Sequence, residues 1–207
     1  MLACSAVTTP ATAQRRFEAA AFVAAVELRV DPGSGVERFS GPMIGGEALM
    51  NVGTRWVFAV RVGDGSLTAR TPGGLNRDLG ELSAEGRVHA GTGLSFSAGA
   101  CRRVYSTELA RQRWNTLQLG VEGRLPFLGG ALQAVARGAL LPVVAVNGLD
   151  HPKTAYSVGT GLEYQLGQGT IGILYSLERY DFPAQAMVQR LEQVSALTVR
   201  GALRVGR

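Results

Sequence analysis

The feature that most limits the fold of this chain is a two-residue rhythm that does not stop where strands usually stop. In "GEALMNVGTRWVFAVRVG", Ala48, Met50, Val52, Thr54, Trp56, Phe58, Val60 and Val62 share one parity. Glu47, Asn51, Arg55 and Arg61 share the other. A helix repeats every 3.6 residues and cannot produce this pattern, whereas a β-strand must, because successive side chains point to opposite faces. "ELSAEGRVHAGTGLSFSAGA" repeats the rhythm, with Leu82, Ala84, Val88, Ala90, Leu94, Phe96 and Ala98 against Ser83, Glu85, Arg87, His89, Ser95 and Ser97.

The rhythm recurs in "VELRV", "TLQLGVEGRLPF", "ALQAVARGAL", "YSVGTGLEYQL", "TIGILYSLE" and "SALTVRGALRV". Together these segments predict about eight strands. The connections carry turn chemistry, in "DPGSG", "GDGS", "TPGG", "LPFLGG", "NGLDHP" and "LGQG". Short links alternate with longer polar ones, except that the connection from Gly63 to Gly80 is long where parity asks for a short one. Pro142 interrupts one strand, lacks a ladder donor and predicts a bulge near a rim. No run of 18 apolar residues is present, so no transmembrane helix is available.

Two closed sheets satisfy such alternation. A soluble barrel turns its apolar face inward; a membrane barrel turns it toward lipid. Three features favour the second. Alternation persists for about ten to eighteen residues, whereas strands of globular proteins usually run five or six, and a tilted strand needs about nine to eleven residues to cross a bilayer. The polar face is lean, built of Gly, Ser, Thr, Gln and single charges. Those charges are biased to arginine, since Lys153 is the only lysine, and arginine pairs with carboxylates in confined places better than lysine does. The net charge of +5 is spread along alternating segments without a cluster, which argues against nucleic acid.

On these residues the chain resembles the eight-stranded outer-membrane β-barrels of the OmpA/OmpX type. The resemblance covers Phe17 to Val205, and "YSLERYDFP" and "RLEQVSALTVRGALRV" look like the last hairpin of such barrels. It implies an all-β, closed, antiparallel, up-and-down transmembrane barrel in a bacterial outer membrane. The lipid bilayer would be its principal partner, with monomeric behaviour, both ends in the periplasm and no cofactor. The chain departs from the family in ending "LRVGR" without a terminal aromatic residue. Trp56, Phe58, Trp114, Phe127, Tyr156, Tyr164, Tyr175 and Tyr180 are candidates for an aromatic girdle.

Residues 1–13 read as a truncated signal-peptide remnant, because Ala11-Thr12-Ala13 suits signal peptidase, and residues 14–207 read as one barrel domain. Removal of the remnant takes Cys4 away and leaves Cys101 as a lone thiol.

The charged face predicts a lumen network of ion pairs, structural or gating, from Glu47, Arg55, Arg61, Glu85, Arg87, Glu122, Arg124, Arg137, Glu163, Glu178, Arg200 and Arg204. Glu27 and Arg29 belong to the same set by parity with their neighbours. His89, beside Ser95, reads as a lumen histidine and His151 as a loop histidine. Two histidines and no carboxylate cluster give neither a catalytic nor a metal site, so no enzyme is expected. A structural or adhesive role would act through loops at Asp31–Met43, Tyr105–Arg113, Asn147–Thr154 and Phe182–Arg190. The alternatives are a soluble exported barrel holding a small apolar ligand and a narrow outer-membrane pore.

Overall fold

A computed structural model describes residues 15–33, 35–184 and 189–205; the signal-like segment and Cys4 lie outside them. The described chain forms ten strands: β1 (Arg15–Asp31), β2 (Glu37–Val52), β3 (Trp56–Ala69), β4 (Arg77–His89), β5 (Leu94–Ser106), β6 (Arg111–Phe127), β7 (Leu132–Val146), β8 (Thr154–Leu166), β9 (Gly169–Asp181) and β10 (Leu191–Val205). Each pairs antiparallel with its sequence neighbours, and β1 pairs with β10, so the sheet closes on itself. Closure leaves no unpaired edge among the ten.

Ten strands replace the expected eight because two apparent strands are hairpins. The turn after Val52 pairs Val52 with Trp56, and Met50 with Phe58, so even numbers oppose even numbers. The turn after His89 does the same, with Val88 opposite Phe96. In both cases the apolar face keeps its parity through the turn. A rhythm read along the sequence therefore runs on through a reversal of direction. Counting ten strands also removes the parity anomaly. The link from β3 to β4, residues 70–76, now falls at the end where links are long. The short turns, 53–55, 90–93, 128–131 and 167–168, lie at the other end, together with the start of β1 and the end of β10. The tightest, Gly167-Gln168, needs a left-handed residue at its first position, and Gly167 supplies it with φ 59°.

Following paired residues from Phe17 round the barrel through Met50, Phe58, Gly86, Ala98, Leu119, Leu140, Tyr156, Arg179 and Gln193 returns to β1 at Arg29, twelve residues further on. That stagger in ten strands corresponds to a tilt of roughly 40°. The register slips once, where Leu141 and Pro142 of β7 together oppose Gln118. Pro142 thus sits at a bulge, well up the wall and short of the rim.

Outward-facing residues form an apolar band. It includes Phe17 and Val23 on β1, Ile44 on β2, Trp56 to Val62 on β3, Leu117 to Leu125 on β6 and Ile171 to Tyr175 on β9, all substantially exposed. The band is about ten residues deep on each strand, or ~25 Å at this tilt. Toward the long loops it ends abruptly, at Glu27, Asp64, Asp78, Arg102, Asn115 and Arg179. Above that level the inside becomes apolar instead. Leu28, Val30, Phe39, Leu67, Leu79, Tyr105, Trp114, Val144, Val146, Tyr180 and Phe182 pack into one buried cluster that fills the outer end of the barrel.

The loops are shorter than expected at three places, one of them the β3–β4 link, which is 70–76 and not Gly63 to Gly80 because Gly63-Asp64-Gly65-Ser66 belong to β3. β2 begins at Glu37, so the first is 32–36 and not Asp31–Met43; the third is 107–110 within Tyr105–Arg113. Segments 147–153 and 182–190 join strands as anticipated.

Candidate functional site: the charged lumen

Inward-facing positions of the lower barrel carry seven glutamates, Glu18, Glu47, Glu81, Glu85, Glu122, Glu163 and Glu178. They also carry seven arginines, Arg61, Arg87, Arg103, Arg124, Arg137, Arg200 and Arg204. The formal charge of the interior is therefore balanced. A closed sheet projects every second side chain toward one axis, so charges distant in sequence converge.

They converge in three groups. Near the short-turn mouth, Arg200 bridges Glu18 and Glu47 at 2.8 Å each. Arg204, half-exposed at the mouth, lies 4.0 Å from Glu18 and donates to Gln165. On the opposite wall Glu122 is ion-paired with three arginines: its Oε1 accepts from Arg124 at 2.7 Å and from Arg87 at 3.2 Å, and its Oε2 lies 2.5 Å from the Arg137 Nε. Arg87 continues to Glu85 at 2.7 Å, and Arg124 to Glu163 at 2.5 Å, so this group crosses β4, β6, β7 and β8. Glu122 is 4 % exposed. Three guanidinium groups surround it, which compensates a charge that burial alone would make costly.

The third group lies beneath the apolar cluster. Arg103 donates to Glu81 and to Glu178, each at 2.7 Å, and the Tyr180 hydroxyl donates to Glu178 at 2.7 Å. Trp114, packed edge-on to Tyr180 at 4.9 Å, covers this group from above. Two connected cavities remain in the lumen, of about 210 Å³ and 340 Å³, sharing Glu47, Arg61, Arg87 and Arg137 in their walls. The larger is lined by Glu18, Asn51, His89, Gln165 and Arg204 at the short-turn mouth. The other runs up to Glu178, Tyr180 and Trp114.

Arg61 has a different partner: its guanidinium lies 3.8 Å from the centroid of the Phe22 ring. That ring fits only because Gly45 and Gly63 stand opposite it. A Cβ on Gly45 would overlap the ring, and one on Gly63 would come within 3.2 Å of it.

Ten of the twelve predicted lumen residues fall in one or another of these groups, and Arg61 joins them through Phe22. Arg55 does not. It lies in the exposed turn 53–55, and its carbonyl accepts from the His89 amide. Parity placed it inside only because the turn was read as strand. Glu27 and Arg29 also reverse. Val26, Leu28 and Val30 are buried inside and the two charges face out, because this part of β1 lies above the apolar band. Trp114 and Tyr180 likewise point inward and belong to no girdle; Trp56, Phe58, Phe127, Tyr164 and Tyr175 do face outward. Glu18, Glu81 and Arg103 escaped the sequence reading. Glu81 opens the quoted alternation at the odd parity of Glu85 and Arg87, and Arg103 continues that parity just past Ala100.

His89 faces the lumen, its Nδ1 2.7 Å from the Ser95 hydroxyl across the β4–β5 register. Among the described residues no carboxylate is hydrogen-bonded to this imidazole. The arrangement lacks the orienting third group of a nucleophilic triad. His151 lies in the 147–153 loop and donates from Nδ1 to the Val144 carbonyl at 2.7 Å.

No protein-family model matches the chain, and no curated protein matches it in sequence. Solved structures do resemble it. The β-domain of the Bordetella autotransporter BrkA aligns with a TM-score of 0.52 at 12 % identity, over 89 % of this chain and 98 % of that one. The translocator domain of the autotransporter NalP from Neisseria meningitidis aligns at 0.47 and 14 % identity, over 92 % and 88 %. Neisserial surface protein A aligns at 0.41 and 14 % identity, over 90 % and 96 %. The fold, a closed, antiparallel, up-and-down β-barrel, is the one this chain shares with the autotransporter β-domain.

Proposed function

We propose that this chain is a bacterial outer-membrane β-barrel whose role is structural or surface-interacting, exerted through its long-loop end, without catalysis and without a steady open pore. The observation that carries the proposal is the sign of the wall. Over a depth of ~25 Å the apolar side chains face out and neutralised ion pairs face in, as a hydrocarbon slab of that thickness requires. A soluble carrier of an apolar ligand would need the reverse, and its cavity would not be lined by Glu47, Arg61, Glu85 and Arg87.

The apolar cluster at the outer end supports a non-conducting state. Leu28, Leu67 and Leu79, which face inward there, are at most 1 % exposed. The likeness to the OmpA/OmpX type extends to the alternating wall and the filled lumen and departs from it at the strand count. The orientation that fits is short turns and both described strand ends in the periplasm, long loops outside. The protein acts as a monomer, its closed sheet offering no edge for pairing, and no nucleic-acid partner is proposed.

Envelope fractionation with gel mobility before and after boiling tests this directly. The protein should fractionate with the outer membrane and change mobility when heated. Protein that remains soluble and monodisperse without detergent would overturn the reading. Planar-bilayer recordings should show no steady conductance; a constant open level would replace the closed lumen with a pore.

A further inference from the structure

We infer that the lipid-facing wall over β3–β7 carries a binding site for one anionic phosphate-bearing lipid of the outer leaflet. This rests on the membrane orientation proposed above. The apolar band is not smooth there. A groove of about 420 Å³ indents it, floored by Ala84 and Ala100, which are register partners, and walled by Val60, Leu82, Leu117 and Val143. Small side chains between large ones leave a slot of the width of an acyl chain, and its lining is almost wholly apolar.

The upper end of the groove is different. Arg102 and Asn115 face each other in register across β5 and β6 and close the slot where the apolar band ends. Arg113, two residues beyond Asn115 on the same face of β6, stands above them, and both guanidinium groups are exposed. Neither takes part in the ion pairs that hold the other outward or lumen arginines of this wall. The outward-facing Arg179, by contrast, is paired with Asp181 at 3.3 Å, and the lumen arginines of the three groups above are paired as well. Two exposed arginines at the depth of the headgroups, directly over an acyl-sized slot, form a charge-complementary seat for an anionic lipid headgroup with its tail below. The amide of Asn115 adds a hydrogen-bond donor between them.

Native mass spectrometry of the full chain in detergent, with phosphatidylglycerol or phosphatidylcholine added, tests the site. The expected spectrum shows a single retained phosphatidylglycerol, favoured over phosphatidylcholine by about tenfold or more from two interfacial cations. The double variant R102Q/R113Q should abolish that preference. A100F fills the slot with both arginines intact and should lower retention of phosphatidylglycerol. Both substitutions are on the outer surface, and their folding is scored by the boiled and unboiled gel. Equal retention of the two lipids, retention unmoved by either variant, or a dimer mass in place of the lipid adduct would each overturn the site. Failure of the wild-type chain to insert into vesicles would sink the membrane reading instead, so the two failures are told apart.

Discussion

The lower and outer parts of this barrel are built on the same ten strands with opposite polarity. On β3, Val60 and Val62 face out around an inward Arg61; a few residues on, Ser66 and Thr68 face out around an inward, fully buried Leu67. On β1 the same inversion separates inward Glu18 from inward Leu28. The backbone geometry does not change between the two parts. What changes is the medium outside, and each wall presents to that medium what the medium tolerates. In the membrane orientation proposed above, the lower part is held by lipid outside and ion pairs inside. The outer part is held by the hydrophobic effect, like a soluble protein. Stability should therefore respond to different substitutions on either side of the boundary.

The largest effect should come from the lower interior. Glu122→Ala leaves Arg87, Arg124 and Arg137 without their shared carboxylate, at a cost of about 3–5 kcal/mol. Urea unfolding from phospholipid vesicles measures it. Adding Arg137→Ala should recover part of the loss, because one uncompensated charge is gone. An unchanged midpoint for Glu122→Ala would mean that the lumen is wet enough to solvate its charges singly.

In the outer part the vulnerable group is apolar. Leu67→Ala should cost about 2–5 kcal/mol by leaving a cavity in the cluster. Val62→Ala on the same strand, facing lipid, should cost much less, because lipid closes over the missing methyl groups. Equal losses from the two would erase the distinction between a core and a lipid face.

How much of this was legible in the sequence follows from what period two can and cannot say. It separates two faces, and it did so correctly for Glu85 and Arg87 against Leu82 and Phe96. It does not say which face is inside. Parity sets Val26, Leu28 and Val30 opposite Glu27 and Arg29 and so toward lipid, whereas position along the barrel axis turns them inward, and axial height depends on register, which no local pattern contains. Turns that preserve parity hid two hairpins for the same reason. The ion-pair partners were partly legible as types: arginine and glutamate at inward parity must meet something. Which ones meet, as Glu122 meets Arg137 or Arg103 meets Glu178, depends on the stagger of twelve residues around the sheet.

The edge of the apolar band can be located with a single residue type. Val60→Arg, in mid-band, should cost about 2–4 kcal/mol. Ser66→Arg lies six residues along the same face of the same strand, beyond Asp64, and should stay within about 0.5 kcal/mol of wild type. Refolding yields into vesicles would rank the two variants in the same order. If Ser66→Arg costs as much as Val60→Arg, the band extends to the rim and the outer part lies in the membrane after all.

The smallest effect is expected at the boundary itself, where Phe22 and Arg61 meet. Phe22 belongs to the apolar cluster, and Arg61 lines the charged cavities, so their contact joins the two regimes. A cation over an aromatic face in a partly desolvated place contributes about 0.5–2 kcal/mol. A double-mutant cycle with Phe22→Leu and Arg61→Met isolates that term, since each replacement keeps most of the volume and removes one half of the interaction. The expected coupling is about 0.5–1 kcal/mol, at the lower end because water in the lumen cavities still reaches the guanidinium. A coupling near zero would show that the two parts stabilise the barrel independently. One well above this range would show that the lumen at this level is drier than its cavities suggest, and that Gly45 and Gly63, which make room for the ring, are as important to the barrel as the ion pairs below them.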